Sequence, residues 1–189
     1  MSEIKHLLVI GGSAGSLEVL LQILPGIGKH LNIAIIIVLH RRSTNDSALQ
    51  ALLATKTNWK IKEAEEKEMI APERIYIAPP DYHLLIENDH TFSLDDSEKV
   101  NYSRPSIDVT FECAAAVYGG KVTGLLLSGA NADGVEGLKQ IKKNGGSVAV
   151  QDPDDAEIPF MPQQALLHIQ VDHMLKNNVI ANFINNLEQ

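Results

Sequence analysis

The chain has 189 residues, 44% of them hydrophobic and 21% charged, with a formal net charge of −8. That length favours a single domain, over 1–189, large enough to bury a substantial core. The acidic balance disfavours nucleic acid and anionic lipid as partners, because both repel a negatively charged surface. Cys113 is the single cysteine, so there is no intrachain disulfide and no CxxC metal or redox pair.

Residues 6–11 read as a first strand, a continuous apolar run suited to a strand covered on both faces. Residues 16–25 read as a helix, with Leu17, Leu20, Leu21 and Leu24 at helical spacing and Pro25-Gly26 as its stop. Ile33 to Leu39 is a second, β-branched strand. Asn45 or Asp46 then caps a helix running to about Lys56.

The middle of the chain is different. Short strands are expected at 60–64, 74–78, 83–87 and 90–94, and Asn88-Asp89 suits a tight antiparallel hairpin between the last two. Residues 95–105 form a polar loop. Pro105 opens a helix to about Tyr118, at a position proline favours. A strand at 121–128, a helix at 134–144 and a strand at 147–151 follow, then helices near 162–169 and 178–188. This alternation predicts an α/β fold: a doubly wound, mostly parallel sheet with helices on both faces and an antiparallel hairpin at one edge.

Three residues lie just past the ends of apolar strands, where open parallel sheets bind ligands. Ser13 sits in Gly11-Gly12-Ser13-Ala14-Gly15, a match to G-x-S-x-G, in which glycines let a strand break sharply into a helix and expose the hydroxyl. His40 ends the second strand and suits a general base. Asp133 follows Leu125 to Ser128 and suits the group that orients an imidazole. Each has a plainer alternative: a serine or aspartate before a helix is often only its N-cap, and a strand-end histidine is often structural. Nucleotide binding is disfavoured because Gly11, Gly12 and Gly15 lack the G-x-G-x-x-G spacing and the second strand ends in His40 rather than an acid. No H-x-x-x-H or HExxH spacing occurs, so no metal and no cofactor are expected.

The same landmarks resemble the catalytic domain of the CheB family, the chemotaxis receptor methylesterases. They are Val9 to Gly15, the strand ending in His40, Ile75 to His83, Arg104-Pro105-Ser106-Ile107-Asp108-Val109, Leu127 to Gly134, Gln151-Asp152-Pro153, and Met161-Pro162 with Ala165. The resemblance spans about residues 5 to 175. It implies Ser13 as nucleophile, His40 as base and Asp133 as third member of a triad, hydrolysing glutamate γ-methyl esters on methyl-accepting chemoreceptor helices and releasing methanol, with glutamine deamidation as a related activity. Backbone N–H groups near Ala14 and Ala130 are expected to hold the oxyanion. Arg41 and Arg104 are expected to hold an acidic receptor helix, a solvated charged loop being the alternative for Arg41 and Arg42.

The sequence also departs from the pattern. Ser13-Ala14-Gly15-Ser16 stands where members often have Ser-Thr-Gly-Gly, Ala130 where many have methionine, and Arg41-Arg42 where a proline often follows the histidine. Members usually carry an N-terminal receiver domain; this chain opens on the catalytic pattern, so no phosphorylation switch in cis is expected, and a receiver domain in trans is a candidate regulator. No signal peptide and no apolar stretch of roughly 18–20 residues is read, which gives a cytoplasmic expectation without membrane insertion. An esterase for another methylated substrate, or a catalytically silent binding module on the same fold, are the alternatives.

Overall fold

A computed structural model describes residues 4–41 and 47–188. Seven strands form one parallel sheet: β1 (His6–Gly12), β2 (Ile33–Leu39), β3 (Lys60–Glu63), β4 (Arg74–Ile77), β7 (Val122–Leu126), β8 (Ser147–Gln151) and β9 (His173–Leu175). Their spatial order is β3-β4-β2-β1-β7-β8-β9. The continuous apolar runs of β1 and β2 arise because both faces are covered. Leu7, Val9, Ile36 and Val38 enter one apolar cluster, while Leu8, Ile10, Ile35 and Ile37 enter another on the opposite face. Each such isoleucine, fully removed from water, contributes about 1.5–3 kcal/mol to stability.

Helices α1 (Ser16–Ile23), α2 (Ser47–Ala54) and α6 (Asn177–Asn185) supply Val19, Leu20, Leu53, Ile180 and Ile184 to the second cluster. Helices α3 (Ile107–Tyr118), α4 (Val135–Lys143) and α5 (Phe160–His168) supply Phe111, Leu138, Ile141 and Met161 to the first. The hairpin expected around Asn88-Asp89 is present, pairing β5 (His83–Ile86) with β6 (Phe92–Asp95). It forms a two-stranded sheet of its own rather than extending the large one. Leu84, Ile86 and Phe92 seal it into the same cluster as α3.

Local details differ from the sequence reading. Helix α3 starts at Ile107, not at Pro105, because Ser106 is extended (φ −100°, ψ 136°) and its hydroxyl accepts the Val109 N–H as a true N-cap. Strand β9 has no apolar run to announce it; it is added by pairing with β8 at the sheet edge. The expected cap of α2 at Asn45 or Asp46 lies outside the described residues. Among the described residues, no helix is long and apolar enough to cross a membrane.

The connection after β1 leads to β2 on one side, and that after β7 leads to β8 on the other. The switch point of this doubly wound sheet therefore falls between β1 and β7, where such folds form their ligand crevice.

Candidate active site

Strand register alone brings two of the three residues together. Gly12 is paired with Leu39 across β1 and β2, so Ser13 and His40 are the residues that directly follow on neighbouring strands. The His40 N–H donates to the Gly12 carbonyl at 3.2 Å. On the other side of β1, Leu127 N–H donates to Gly11 and Ser13 N–H to the Ser128 carbonyl, at 2.8 and 2.9 Å. The segment leading to Asp133 thus starts against Ser13.

Neither Ser13 nor Asp133 is a helix N-cap. Those positions belong to Gly15 (φ 82°) and Gly134 (φ 98°), neither with a side-chain cap. Gly15 is required twice over: its φ is left-handed, and a Cβ there would lie 2.6 Å from Ser128 Oγ. That hydroxyl is occupied, donating to the Ala14 carbonyl at 2.8 Å and accepting the Ile158 N–H at 2.9 Å. It fixes the turn that carries Ser13.

Asp133 is fully buried. Its Oδ2 accepts from His40 Nε2 and from the Ile107 N–H, both at 2.7 Å. Its Oδ1 accepts from the Ser106 hydroxyl at 2.9 Å, from the Asp108 and Gly134 N–H groups at 3.1 Å, and from Asn101 Nδ2 at 3.2 Å. Two of these donors are the first free N–H groups of α3, so the positive end of that helix faces the carboxylate. Burial on its own raises the Asp133 pKa, but the bonds from His40, Ile107 and Asp108 outweigh it and hold the carboxyl below its ordinary value. Asp108, also buried, shows the opposite. Burial, followed by the charge of Asp133 beside it, pushes its carboxyl up to about 6 against the Gly137 N–H it accepts. Below about pH 6 the pair therefore holds a single negative charge, on Asp133.

An ionised Asp133 can only accept, so His40 carries its proton on Nε2 and Nδ1 keeps the lone pair. Asn131 faces that lone pair with Nδ2 at 3.3 Å, and its own Oδ1 accepts the Asp133 N–H at 3.1 Å. The His40 side chain is only 10% exposed.

His40 opens on one side into a cleft of about 390 Å³ shared with Arg41, Asp81, Lys99, Tyr102, Ser103 and Arg104. Arg41 donates to Glu63 at 2.5 Å and to the Ala78 carbonyl at 3.1 Å, so much of its charge is answered within the protein. Arg104 donates to the carbonyls of Asp96 and Ser97, which fixes its position, and its charge also reaches the Asp95 carboxylate. Arg42 lies outside the described residues. Ala14 and Ala130 are both exposed, on the turns that follow β1 and β7. The Ala130 turn is held at Gly129, whose N–H donates to Ile158 and whose carbonyl accepts from Met161 N–H, each at 3.0 Å. Among the described residues, no group of three or more His, Cys, Asp or Glu side chains is arranged for a metal ion.

Several residues of the site escaped the sequence reading: Ser106, Asn101, Asp108, Asn131 and His83. Buried His83 accepts the Ser106 N–H at 3.1 Å and donates to the Glu98 carbonyl at 2.9 Å. For Ser106 a signal existed, since serine just before an apolar helical run marks an N-cap. Asn131 is a local partner, two residues before Asp133, while Asn101, Asp108 and His83 join the site only through tertiary folding.

Comparison with known proteins gives a consistent picture. The family model described as CheB methylesterase matches residues 8–184. A Leptospira interrogans protein, provisionally named for protein-glutamate methylesterase and protein-glutamine glutaminase activities, is 49% identical over 187 residues, covering 96% of this chain and 97% of its own length. A Thermotoga maritima protein-glutamate methylesterase/protein-glutamine glutaminase is 32% identical over 172 residues, of which this chain spans half the length. The crystal structure of the T. maritima CheB methylesterase catalytic domain superposes with a TM-score of 0.93 at 31% identity, covering 98% of this chain and all of that one.

Proposed function

The chain belongs to the CheB methylesterase family, and from that premise we propose that it is a serine hydrolase that removes methyl groups from glutamate γ-methyl esters on the cytoplasmic helices of chemoreceptors. The observation that carries this reading is the His40 to Asp133 hydrogen bond of 2.7 Å, formed beside Ser13 at register-matched strand ends. A buried acid that fixes one imidazole nitrogen, with the other nitrogen bearing a lone pair near a strand-end serine, is an acyl-transfer arrangement.

In the first half-reaction Ser13 Oγ attacks the γ-carbonyl carbon while its proton passes to His40 Nδ1. The bond from Asn131 to that nitrogen is long and gives way to the serine hydroxyl. Asp133 stabilises the imidazolium that forms. The N–H groups of Ala14 and Ala130 hold the oxyanion, a contribution of about 10²–10³-fold in kcat for each donor. The tetrahedral adduct collapses, the C–O bond to methoxide breaks, and His40 Nδ1 returns the proton to give methanol. Water then gives a proton to His40 and attacks the acyl-serine; collapse releases the glutamate carboxylate and restores the Ser13 hydroxyl. On glutamine the same steps expel ammonia.

Arg104 and Lys99 on the cleft favour an acidic protein segment as substrate. A substrate on the cytoplasmic helices of chemoreceptors implies action in the cytoplasm, and a receiver domain in trans is the candidate regulator. The test is methanol release from methylated receptor by wild type and Ser13→Ala. Loss of turnover in a variant that melts like wild type supports the assignment; full activity in it overturns the assignment.

A further inference from the structure

The polar loop between β6 and α3 is held along its whole length. His83 holds the Glu98 carbonyl and the Ser106 N–H, and Arg104 holds the carbonyls of Asp96 and Ser97. At its tip Val100 and Ser103 exchange two backbone bonds, of 3.2 and 2.9 Å, closing a two-residue turn on Asn101 and Tyr102. Both are left-handed, with φ of 50° and 63°, as a type I′ turn demands. Asparagine tolerates this; tyrosine is strained by roughly 1–2 kcal/mol.

The two residues of the turn face opposite ways. Asn101 reaches inward, and its single amide nitrogen donates both to Asp108 Oδ2 at 2.8 Å and to Asp133 Oδ1 at 3.2 Å. It places one hydrogen on each of two buried carboxylates. Tyr102 is 98% exposed and lines the cleft beside His40 and Lys99. A strained aromatic residue that gains nothing from its own chain is accounted for by a contact outside it. Tyrosine supplies a large amphipathic contact at low entropic cost.

We propose that the Asn101–Tyr102 turn is a docking clip: Tyr102 contacts the protein segment that bears the ester, and Asn101 is a positioning residue that ties the seated turn to the Asp133 carboxylate. This rests on the hydrolase reading above. Together with Ser106, Asp108 and Gly134, Asn101 holds Oδ1 and so keeps Oδ2 directed at His40. The turn thereby links recognition of a folded substrate to the alignment of the base.

Two variants retain the turn while removing one function each. Asn101→Gly keeps the left-handed backbone without the amide, and Tyr102→Asn keeps it without the ring. Each is assayed on a methylated receptor fragment and on a short blocked peptide carrying one glutamate methyl ester. Asn101→Gly should lower kcat by about 10-fold or more on both substrates, with the loss in KM under about 2-fold. Tyr102→Asn should raise KM about 5-fold more for the receptor fragment than for the peptide. The proton of His40 Nε2, seen at low field by NMR because its acceptor is a buried carboxylate, should move in Asn101→Gly and stay in place in Tyr102→Asn.

An unchanged kcat with an unmoved proton signal in Asn101→Gly overturns the positioning role. An equal KM change on the two substrates in Tyr102→Asn overturns the docking role. Failure of the wild type to hydrolyse either ester would sink the hydrolase reading instead. The NMR signal and receptor-fragment binding by the two variants would still decide the clip.

Discussion

His40 meets Asp133 through its ε nitrogen, at 2.7 Å, while its δ nitrogen faces Asn131. The carboxylate on the other side of that bond is surrounded by donors: Ile107 N–H on one oxygen, and Ser106, Asp108, Gly134 and Asn101 on the other. An asparagine at 133 must turn its NH₂ group toward one set or the other. Asp133→Asn is therefore expected to do two things at once. It leaves donors facing a donor, costing about 1–3 kcal/mol of stability, and it removes the charge that fixes the Nε2–H tautomer, lowering kcat by about 10⁴-fold. Chemical denaturation measures the first. The ¹⁵N shifts of His40 and methanol release measure the second.

Asp108 gives a pH dependence whose sign is opposite to that of Asp133. Its carboxyl is raised from 3.8 to about 6, chiefly by burial. Below pH 3.8 the residue is protonated both folded and unfolded. As pH rises from about 4 to about 6 the unfolded chain loses this proton first, so the folded state loses relative stability, by up to about 3 kcal/mol, and the loss levels off above the folded value. Asp133, held low, acts in the reverse sense, stabilising at higher pH and losing that contribution on acidification. Asp108→Asn should thus gain stability over wild type as pH climbs from 4 to about 6, with the two closer at pH 4. Urea titrations of both proteins across that range test it; a difference that does not vary with pH would count against it.

The sheet was legible in the sequence because its central strands are almost entirely apolar, β2 wholly so. Ile33 to Leu39 has no polar face to hide, so it reads as a strand covered on both sides. Gly11 to Gly15 and the strand-end positions of His40 and Asp133 were legible for a related reason: parallel strands place their ends on one rim. What was not legible is how Asp133 is held. Asn101, Ser106, His83 and Asp108 lie 25 to 50 positions away from it in the chain, and polar residues in a loop look alike until folding shows which of them is buried. Pro105 misdirected the start of α3 for the opposite reason. A local preference pointed to it, while the capping hydroxyl sat one residue later at Ser106.

Gly129 tests how closely the Ser13 side chain is confined. A Cβ at this position would lie 2.6 Å from Met161 Cε and 3.0 Å from Ser13 Cβ. The methionine terminus is flexible and moves aside readily. Ser13 is held by its N–H bond to the Ser128 carbonyl and has less freedom. Gly129→Ala is expected to cost about 1–3 kcal/mol in stability and to lower kcat about 10- to 100-fold through displacement of the hydroxyl. A variant that melts lower yet turns over like wild type would show that the confinement is slack.

Charge on the cleft predicts a dependence on salt that falls on binding. Lys99 is exposed, and Arg104 is held on the cleft by two neutral carbonyls. Arg41 is different, because Glu63 lies against it at 2.5 Å. An acidic receptor segment approaching Lys99 and Arg104 is screened as the Debye length shortens. KM for the protein substrate should therefore rise severalfold between about 0.05 M and about 0.3 M salt, with little change in kcat. Lys99→Ala should flatten that dependence. Arg41→Ala should flatten it less and destabilise the protein more, since it leaves the Glu63 carboxylate without its guanidinium partner. Steady-state kinetics of methanol release over that salt range decides the point, and a KM indifferent to salt would remove charge from the account of substrate recognition.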